Sequence, residues 1–401
     1  MIGYQAFAEL SQSHDCDKRG QAAHLAALAY LDHNGPAEEH AALYAALIGF
    51  LDDTSVKVRA ALAYGLLHSH RAPRPVILAL LQDSAIISRA VLQYSPVLID
   101  ADLLPIVARA EVSVLAAVSQ REVISTRLAA ALLARNDRDI VLRVLRRPDV
   151  AINTSVFDML AVTWGDEAAI RGAMLARRDL PGTARLVLVR KATESIRTCR
   201  LVKGALVEDR LDRVFRNSTD AALAVIGEAE CEGGREDYVG ALLDAEQINT
   251  RLLIHAVVTG RVVFFAACLS ALADTSRSKV FTLLQDGSRA ALEALFSRGG
   301  LSQASRGLLV RLVMLARAAD LADDEAARHY VITTLTEEMI AQFSGEIPEE
   351  LQETFCYLNE QNIALARKAA RGVMAAFVGT NQGNIGLPVP SEEQRLQLPA
   401  A

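Results

Sequence analysis

The sequence predicts an all-α fold, and three observations carry that prediction: a composition suited to helices, an internal repeat with helical spacing, and the absence of alternating strand-like runs. Apolar residues make up 51% of the chain, aromatics 5%, and only 11 of 401 residues are proline. Alanine and leucine fill most of the apolar share, and such small or unbranched side chains lose little freedom in a helix. Strands draw instead on β-branched and aromatic residues in alternation, and no such run is present. The length suits two or three ordinary domains or one elongated array.

Residues 1–40 are read as N-terminal helices. Their start, MIGYQAFAELSQSHDCDKRG, has early acids and no apolar stretch of the kind a secretory signal needs. Five dispersed cysteines (Cys16, Cys199, Cys231, Cys268, Cys356) without a CxxC pair suggest a reducing, cytoplasmic setting. Histidines crowd the first part of the chain: His14, His24, His33, His40, His68 and His70 are six of the eight. His68 and His70, two apart, point to different sides of a helix. No HExxH or paired CxxC/HxxxH spacing occurs, so these read as turn and helix-surface residues and no metal ligand is assigned. The pair His14–Asp15 resembles the HD pair of certain phosphohydrolases, but the other helical ligands of that family are not identifiable.

The segment LDDTSVKVRAALAYGLL from Leu51 matches LQDSAIISRAVLQYSPVL from Leu81 at an offset of 30 residues. The matching pairs are Leu51/Leu81, Asp53/Asp83, Thr54/Ser84, Val56/Ile86, Arg59/Arg89, Ala60/Ala90, Leu62/Leu92 and Tyr64/Tyr94. Thr54 and Ser84 are expected N-caps, their hydroxyls accepting from the free N–H groups of a first turn. The apolar residues behind them recur at helical spacing. With a helix ending at Leu51 or Leu81, each unit is a helical hairpin that must bury its apolar face against a neighbour.

The aspartate and arginine six residues apart (Asp53/Arg59, Asp83/Arg89) resemble the HEAT-repeat signature. That resemblance implies a HEAT-like α-α superhelix in which these four residues form a ladder between successive repeats. VISTRLAAALL (123–133) lacks the Asp and RRPDVAINTSVFDMLA (146–161) lacks the Arg, so the ladder is expected to stop near Arg89. Further pieces, YSPVLIDADLLPIV (94–107), VSQREVIS (118–125), RRPDVAI (146–152), RRDLP (177–181) and TGRVVFFAACLSAL (259–272), resemble a bacterial family of unknown function over residues 40–300. No activity comes with that resemblance.

The repeat domain is placed at 41–300. The most apolar stretch, Leu252 to Ala273, is interrupted by His255 and by Thr259-Gly260-Arg261. It reads as two helices and a turn rather than as a span of ~20 apolar residues. Stops at Glu232-Gly-Gly-Arg235, Asp286-Gly287 and Arg298-Gly-Gly300 punctuate the helical pattern beyond Leu201. The long amphipathic stretches 301–318, 322–344 and 348–377 predict a helical C-terminal cap over 301–377. Residues 378–401 have no periodicity and read as a disordered tail.

No GxSxG, GxxxxGK[ST] or GxGxxG is present, and neither a catalytic residue nor a cofactor is expected. Glu325 and His329, one turn apart, could act as an acid/base pair, although an exposed helix in which Asp324 pairs with Arg328 is the simpler reading. Glu337/Glu338 and Glu349/Glu350 read as solvated faces. The net charge of −6 conceals an asymmetry: residues 121–200 hold 15 Lys/Arg against 9 Asp/Glu. Within that segment Arg135, Arg138, Arg143, Arg146, Arg147, Arg177 and Arg178 are the candidate partner-binding basic face, with Arg185, Arg190 and Lys191 beyond them. The expected function is a non-catalytic protein–protein interaction scaffold whose partner is not identified, an acidic protein segment being the kind such a basic face would hold. Arginines dispersed around their helices and paired with Asp137, Asp139 and Asp149 are the plainer reading of the same segment. A nucleic-acid-binding or base-repair solenoid is the alternative. Trp164 and Asp166 resemble the aromatic and acid that HEAT-like DNA glycosylases carry in a basic groove, against which stand the single Trp and the acidic whole.

Overall fold

The computed structural model describes residues 4–380 apart from 206, 236, 320, 322 and 323. Among the described residues every regular element is a helix. Residues 381–401, most of the expected tail, lie outside them, while 378–380 continue the last helix. The chain divides into two units, Met1–Cys199 and Arg200–Ala401.

The first unit begins with α1 (Tyr4–Ser11), α2 (Cys16–Asp32), α3 (Ala37–Leu51), α4 (Val56–Leu66), α5 (Arg74–Leu81) and α6 (Ala85–Tyr94). It continues with α7 (Asp100–Arg109), α8 (Val112–Ser119), α9 (Thr126–Leu133) and α10 (Arg138–Leu145). It ends with α11 (Thr154–Trp164), α12 (Ala168–Leu175) and α13 (Gly182–Thr198). Each even-numbered helix from α2 to α12 packs against the next even-numbered one, and α3 with α5, α7 with α9 and α11 with α13 do the same. The pattern arises from short amphipathic helices joined by short turns: one face is covered by the hairpin mate, the other by the next hairpin. Leu62, Leu66, Val91, Leu132, Val144 and Leu160 are among the fully buried side chains of the resulting core.

Local sequence explains two features of this unit. Helices α2 and α4 approach closely because small residues face each other; a Cβ on Gly65 would stand 2.6 Å from that of Ala27. The expected hydroxyl caps are corrected: Ser55 and Ser84 cap α4 and α6, and neither side chain makes a capping bond. The carboxylates of Asp53 and Asp83 instead accept the N–H of Ser55 and Ser84, at 2.8 and 2.5 Å. An ionised acceptor makes the stronger bond to a turn N–H.

The second unit begins with α14 (Arg200–Ala205), α15 (Glu208–Glu232), α16 (Asp237–Asp244), α17 (Thr250–Val258) and α18 (Val262–Ala273). Then come α19 (Arg277–Asp286), α20 (Arg289–Arg298), α21 (Gln303–Ala316), α22 (Glu325–Gln342) and α23 (Glu349–Thr380). The apolar stretch 252–273 is α17 and α18, turned at Gly260 with φ +73°. Every residue of α17 from Arg251 to Val258 is buried, and α18 packs against α15, α16, α17, α19 and α20. Among the described residues no helix is long and apolar enough to cross a membrane. Phe264 lies so close to α15 that a Cβ on Gly227 would meet its ring at 2.2 Å. Buried Glu228 of α15 caps α18, accepting the N–H of Phe264 at 2.6 Å. The Gly299–Gly300 stop, where the cap was expected to begin, lies inside this unit, and α20 and α21 on its two sides pack together.

Candidate functional site

The repeat's aspartates and arginines form the first polar network. Arg19 of α2 grips the Asp53 carboxylate with Nε and Nη2 at 2.7 and 3.1 Å, and its Nη1 holds the carbonyl of Ser13 at 2.9 Å. Arg59 of α4 repeats the geometry on Asp83, at 2.6 and 2.9 Å, with Nη1 on the carbonyl of Asp53 at 2.6 Å. Both carboxylates are about nine-tenths shielded from solvent, and their arginine partners hold them below the ordinary aspartate range. Each arginine therefore binds the aspartate of the following hairpin. Arg89 departs from its expected place. It is exposed and donates to its own helix at Ala85, because the turn ahead of α8, Ala110–Glu111, has no aspartate.

The basic segment is where the structure corrects the sequence most. Arg121 follows α8 and is buried, with Nη1 on the carbonyl of Leu92 at 2.6 Å and Nη2 on those of Ser95 and Leu98 at 2.8 and 3.4 Å. Arg147 follows α10 and binds the carbonyls of Arg121, Glu122 and Ser119. Arg177 follows α12 and binds those of Arg147, Val150 and Leu145, at 2.7, 2.7 and 3.3 Å. Each guanidinium thus binds carbonyls at the C-terminal end of the previous even-numbered helix and in the turn that follows it, where positive charge is favoured. Arg147 also pairs with Asp149 and Arg177 with Asp179. Arg177 in addition lies over the Phe157 ring at 5.5 Å.

The same device serves the other helices. Arg135, after α9, binds the carbonyls of Ala108 and Ala110 at the end of α7, at 2.6 and 3.1 Å. Lys191 binds that of Val162 and the carboxylate of Asp166, both at 2.7 Å. Arg138 pairs with Glu167 at 2.8 Å. Of the seven arginines expected on one binding face, then, Arg135, Arg147 and Arg177 tie hairpins together and Arg138 sits in a surface ion pair. Among the described residues only Arg143, Arg146 and Arg178 of the seven are exposed with no ion pair or hydrogen bond. The excess positive charge of residues 121–200 is largely internal wiring. Its signal in the sequence was the spacing of Arg121, Arg147 and Arg177, one to a hairpin, each just past the apolar end of a helix.

Arg146 and Arg178 come together on a groove of about 710 Å³ between successive hairpin turns, walled by Ala151, Ala173 and Ala176. Arg143 lies on α10, outside that lining. Tyr64 and Tyr94, equivalent in the repeat, are also exposed, and their rings stack on His24 and His68 with centroids 5.6 and 5.1 Å apart.

The second unit contains a polar cluster that sequence reasoning missed. Arg251 of α17 lies 2.9 Å from Asp220 of α15 and 3.0 Å from Glu353 of α23. It donates to Asn217 at 2.6 Å and stands over the Tyr357 ring at 5.3 Å. One turn along, His255 Nδ1 is 2.5 Å from the Tyr357 hydroxyl. Burial, with help from Arg251 and Arg261, drives the imidazole down to about 4, so at neutral pH it is uncharged and shares a hydrogen bond with the phenol hydroxyl. Burial raises Asp220 above its ordinary range. These groups lie on α15, α17 and α23, up to a hundred residues apart, and no local motif marks them.

The remaining candidates have structural partners. Glu325 pairs with Lys368 rather than with His329, and Asp324 caps α22, accepting from Ala326 and Ala327. Asp15 caps α2 and Asp17 pairs with Lys57 at 3.1 Å. Asp166, beside Trp164, is taken by Lys191.

A family model described as an uncharacterised protein conserved in bacteria (DUF2336) matches residues 87–377. The match begins and ends later than the residues 40–300 on which the resemblance rested. No curated protein and no solved structure matches the chain.

Proposed function

Since the chain belongs to this uncharacterised bacterial family, we propose that it is a non-catalytic, cytoplasmic interaction module, a HEAT-like solenoid whose partner is an acidic protein segment. The repeated packing of each helix on the one two places along supports the solenoid, as do the Arg–Asp and Arg–carbonyl links between successive hairpins. The observation that carries the partner's chemistry is the groove flanked by Arg146 and Arg178, two cations without carboxylate partners beside an alanine-lined wall. Asp149 and Asp179 also line it, but each is engaged by Arg147 or Arg177. An extended acidic segment could lay its backbone against the alanines and its carboxylates against the two guanidinium groups, a planar, bidentate pairing that arginine favours.

The test compares the full chain with its Arg146→Glu/Arg178→Glu variant as bait for bacterial lysate, with mass spectrometry of what each retains. The variant is expected to lose an acidic partner that the native chain releases as salt rises. Both should melt at the same temperature, since neither arginine holds the fold. Equal capture by the two baits refutes the reading. The nucleic-acid alternative is weaker because the arginines that would face a phosphate backbone are bonded to carbonyls. It would be favoured by a salt-dependent shift with DNA that the same variant abolishes.

A further inference from the structure

The second unit has an open pocket of about 520 Å³ between α20, α21, α22 and the start of α23. That volume lies within the range of small-ligand sites, roughly 300–1,000 Å³. Its inner wall is apolar, formed by Leu308, Leu335, Met339 and Leu351, all buried. Its rim carries three arginines that are not equivalent. Arg311 is bound through two bonds to Glu338, at 2.6 and 2.5 Å, and Arg289 pairs with Glu293 at 3.3 Å. Arg306 has no carboxylate partner among the described residues. Its Nη2 donates to the Gln303 side-chain oxygen at 2.7 Å, and its Nε is shielded from solvent with no acceptor at all. Of the three rim arginines it is thus the one whose charge no carboxylate among the described residues offsets. Glu350, on the lining as well, is exposed in the first turn of α23, where the helix's own N-terminus favours a negative charge.

A second observation comes from the neighbouring residue. Gly307 lies inside α21 and lines the same pocket, and a Cβ built on it would meet nothing within 4 Å. Glycine within a helix is less stable than alanine, and here no close packing requires it. The space a side chain would occupy is left to the pocket. The N-terminal turn of α21, which carries both Gln303 and Ala304 on the lining, adds a positive dipole end beside Arg306.

We propose that this pocket binds a small organic anion with an apolar body, a soluble monocarboxylate of medium chain length, with its carboxylate on Arg306 and its carbon chain against Leu335 and Met339. Calorimetric titration of the full chain tests this with octanoate, and with octanol, octylamine and inorganic phosphate as comparisons. Octanoate is expected to bind at least tenfold more tightly than any of the three. Arg306→Met should weaken octanoate about tenfold. Gly307→Leu should abolish binding by filling the pocket, while its melting temperature stays equal to or above that of the native chain. The proposal is overturned if octanoate fails to bind at millimolar concentration. It is equally overturned if octanol, octylamine or phosphate binds as well as octanoate, or if either variant binds like the native chain.

Discussion

Replacing Arg177 by methionine keeps much of the side chain's length while removing every donor. Three carbonyls would lose a charged partner, two of them on residues fully withdrawn from water, Val150 and Leu145. Bonds to a charged group contribute about 1.5–3 kcal/mol each, and the contact with Phe157 adds about 0.5–1 kcal/mol. Against this, the variant no longer has to bury a guanidinium, a penalty of several kcal/mol. The net loss expected is about 3 kcal/mol. For a unit of this size that lowers the melting temperature by roughly 6–12 °C. Arg178→Met, one residue along, removes an exposed arginine without partners and should change stability by less than about 0.5 kcal/mol. Thermal and urea melts followed by circular dichroism at 222 nm measure both. Because the bonds of Arg177 are buried, raising salt should not close the gap between the two variants. If they melt together, the arginine chain is not a source of stability.

The Arg–Asp pairs lead to a parallel contrast: Asp53→Ala, which strands the guanidinium of Arg19, should cost about 2 kcal/mol, whereas Arg89→Ala should be close to neutral in a denaturant melt. Acid should destabilise the second unit through His255, whose folded value of about 4 lies below its ordinary 6.5. The unfolded chain then takes up the proton first, so stability is complete above pH 6.5 and is lost as pH falls towards 4, by up to about 3 kcal/mol. His255→Gln should flatten that part of a stability-against-pH curve, and an unchanged slope would refute the assignment. Gly227→Ala should destabilise the second unit by about 1–3 kcal/mol through collision with Phe264, while Gly307→Ala should stabilise it by up to about 1 kcal/mol. Comparing the two melting temperatures decides the matter.

What the sequence made legible is what repeats within a short window. Helical character and the hairpin unit are readable from spacings of six and thirty residues, and a link between aspartate and arginine of successive repeats follows from the resemblance to HEAT repeats, although the structure pairs Arg59 with Asp83 and leaves Arg89 out. Arg19 went unread because its own turn has Ser13 where the later copies have Asp53 and Asp83, although it binds the Ser13 carbonyl as Arg59 binds that of Asp53. The arginines of 121–200 were misread for a different reason. A count of charges registers side chains but not the carbonyls of the backbone, and it is those carbonyls that Arg121, Arg147 and Arg177 neutralise. The cluster around Arg251 was beyond reach because α15, α17 and α23 contribute to it from distant parts of the chain.

The chain of arginines also bears on how such a protein can lengthen. The segments of α8 and α10 each offer carbonyls to the hairpin after and an arginine to the one before, so donor and acceptor travel together in a single segment of sequence. A duplicated hairpin would arrive with both halves of the joint in place, and so would an excised one leave two ends that still match. A hairpin added or removed between α6 and α12 would therefore need no new kind of interface, whereas losing one arginine alone leaves the joint to the preceding hairpin without its donor.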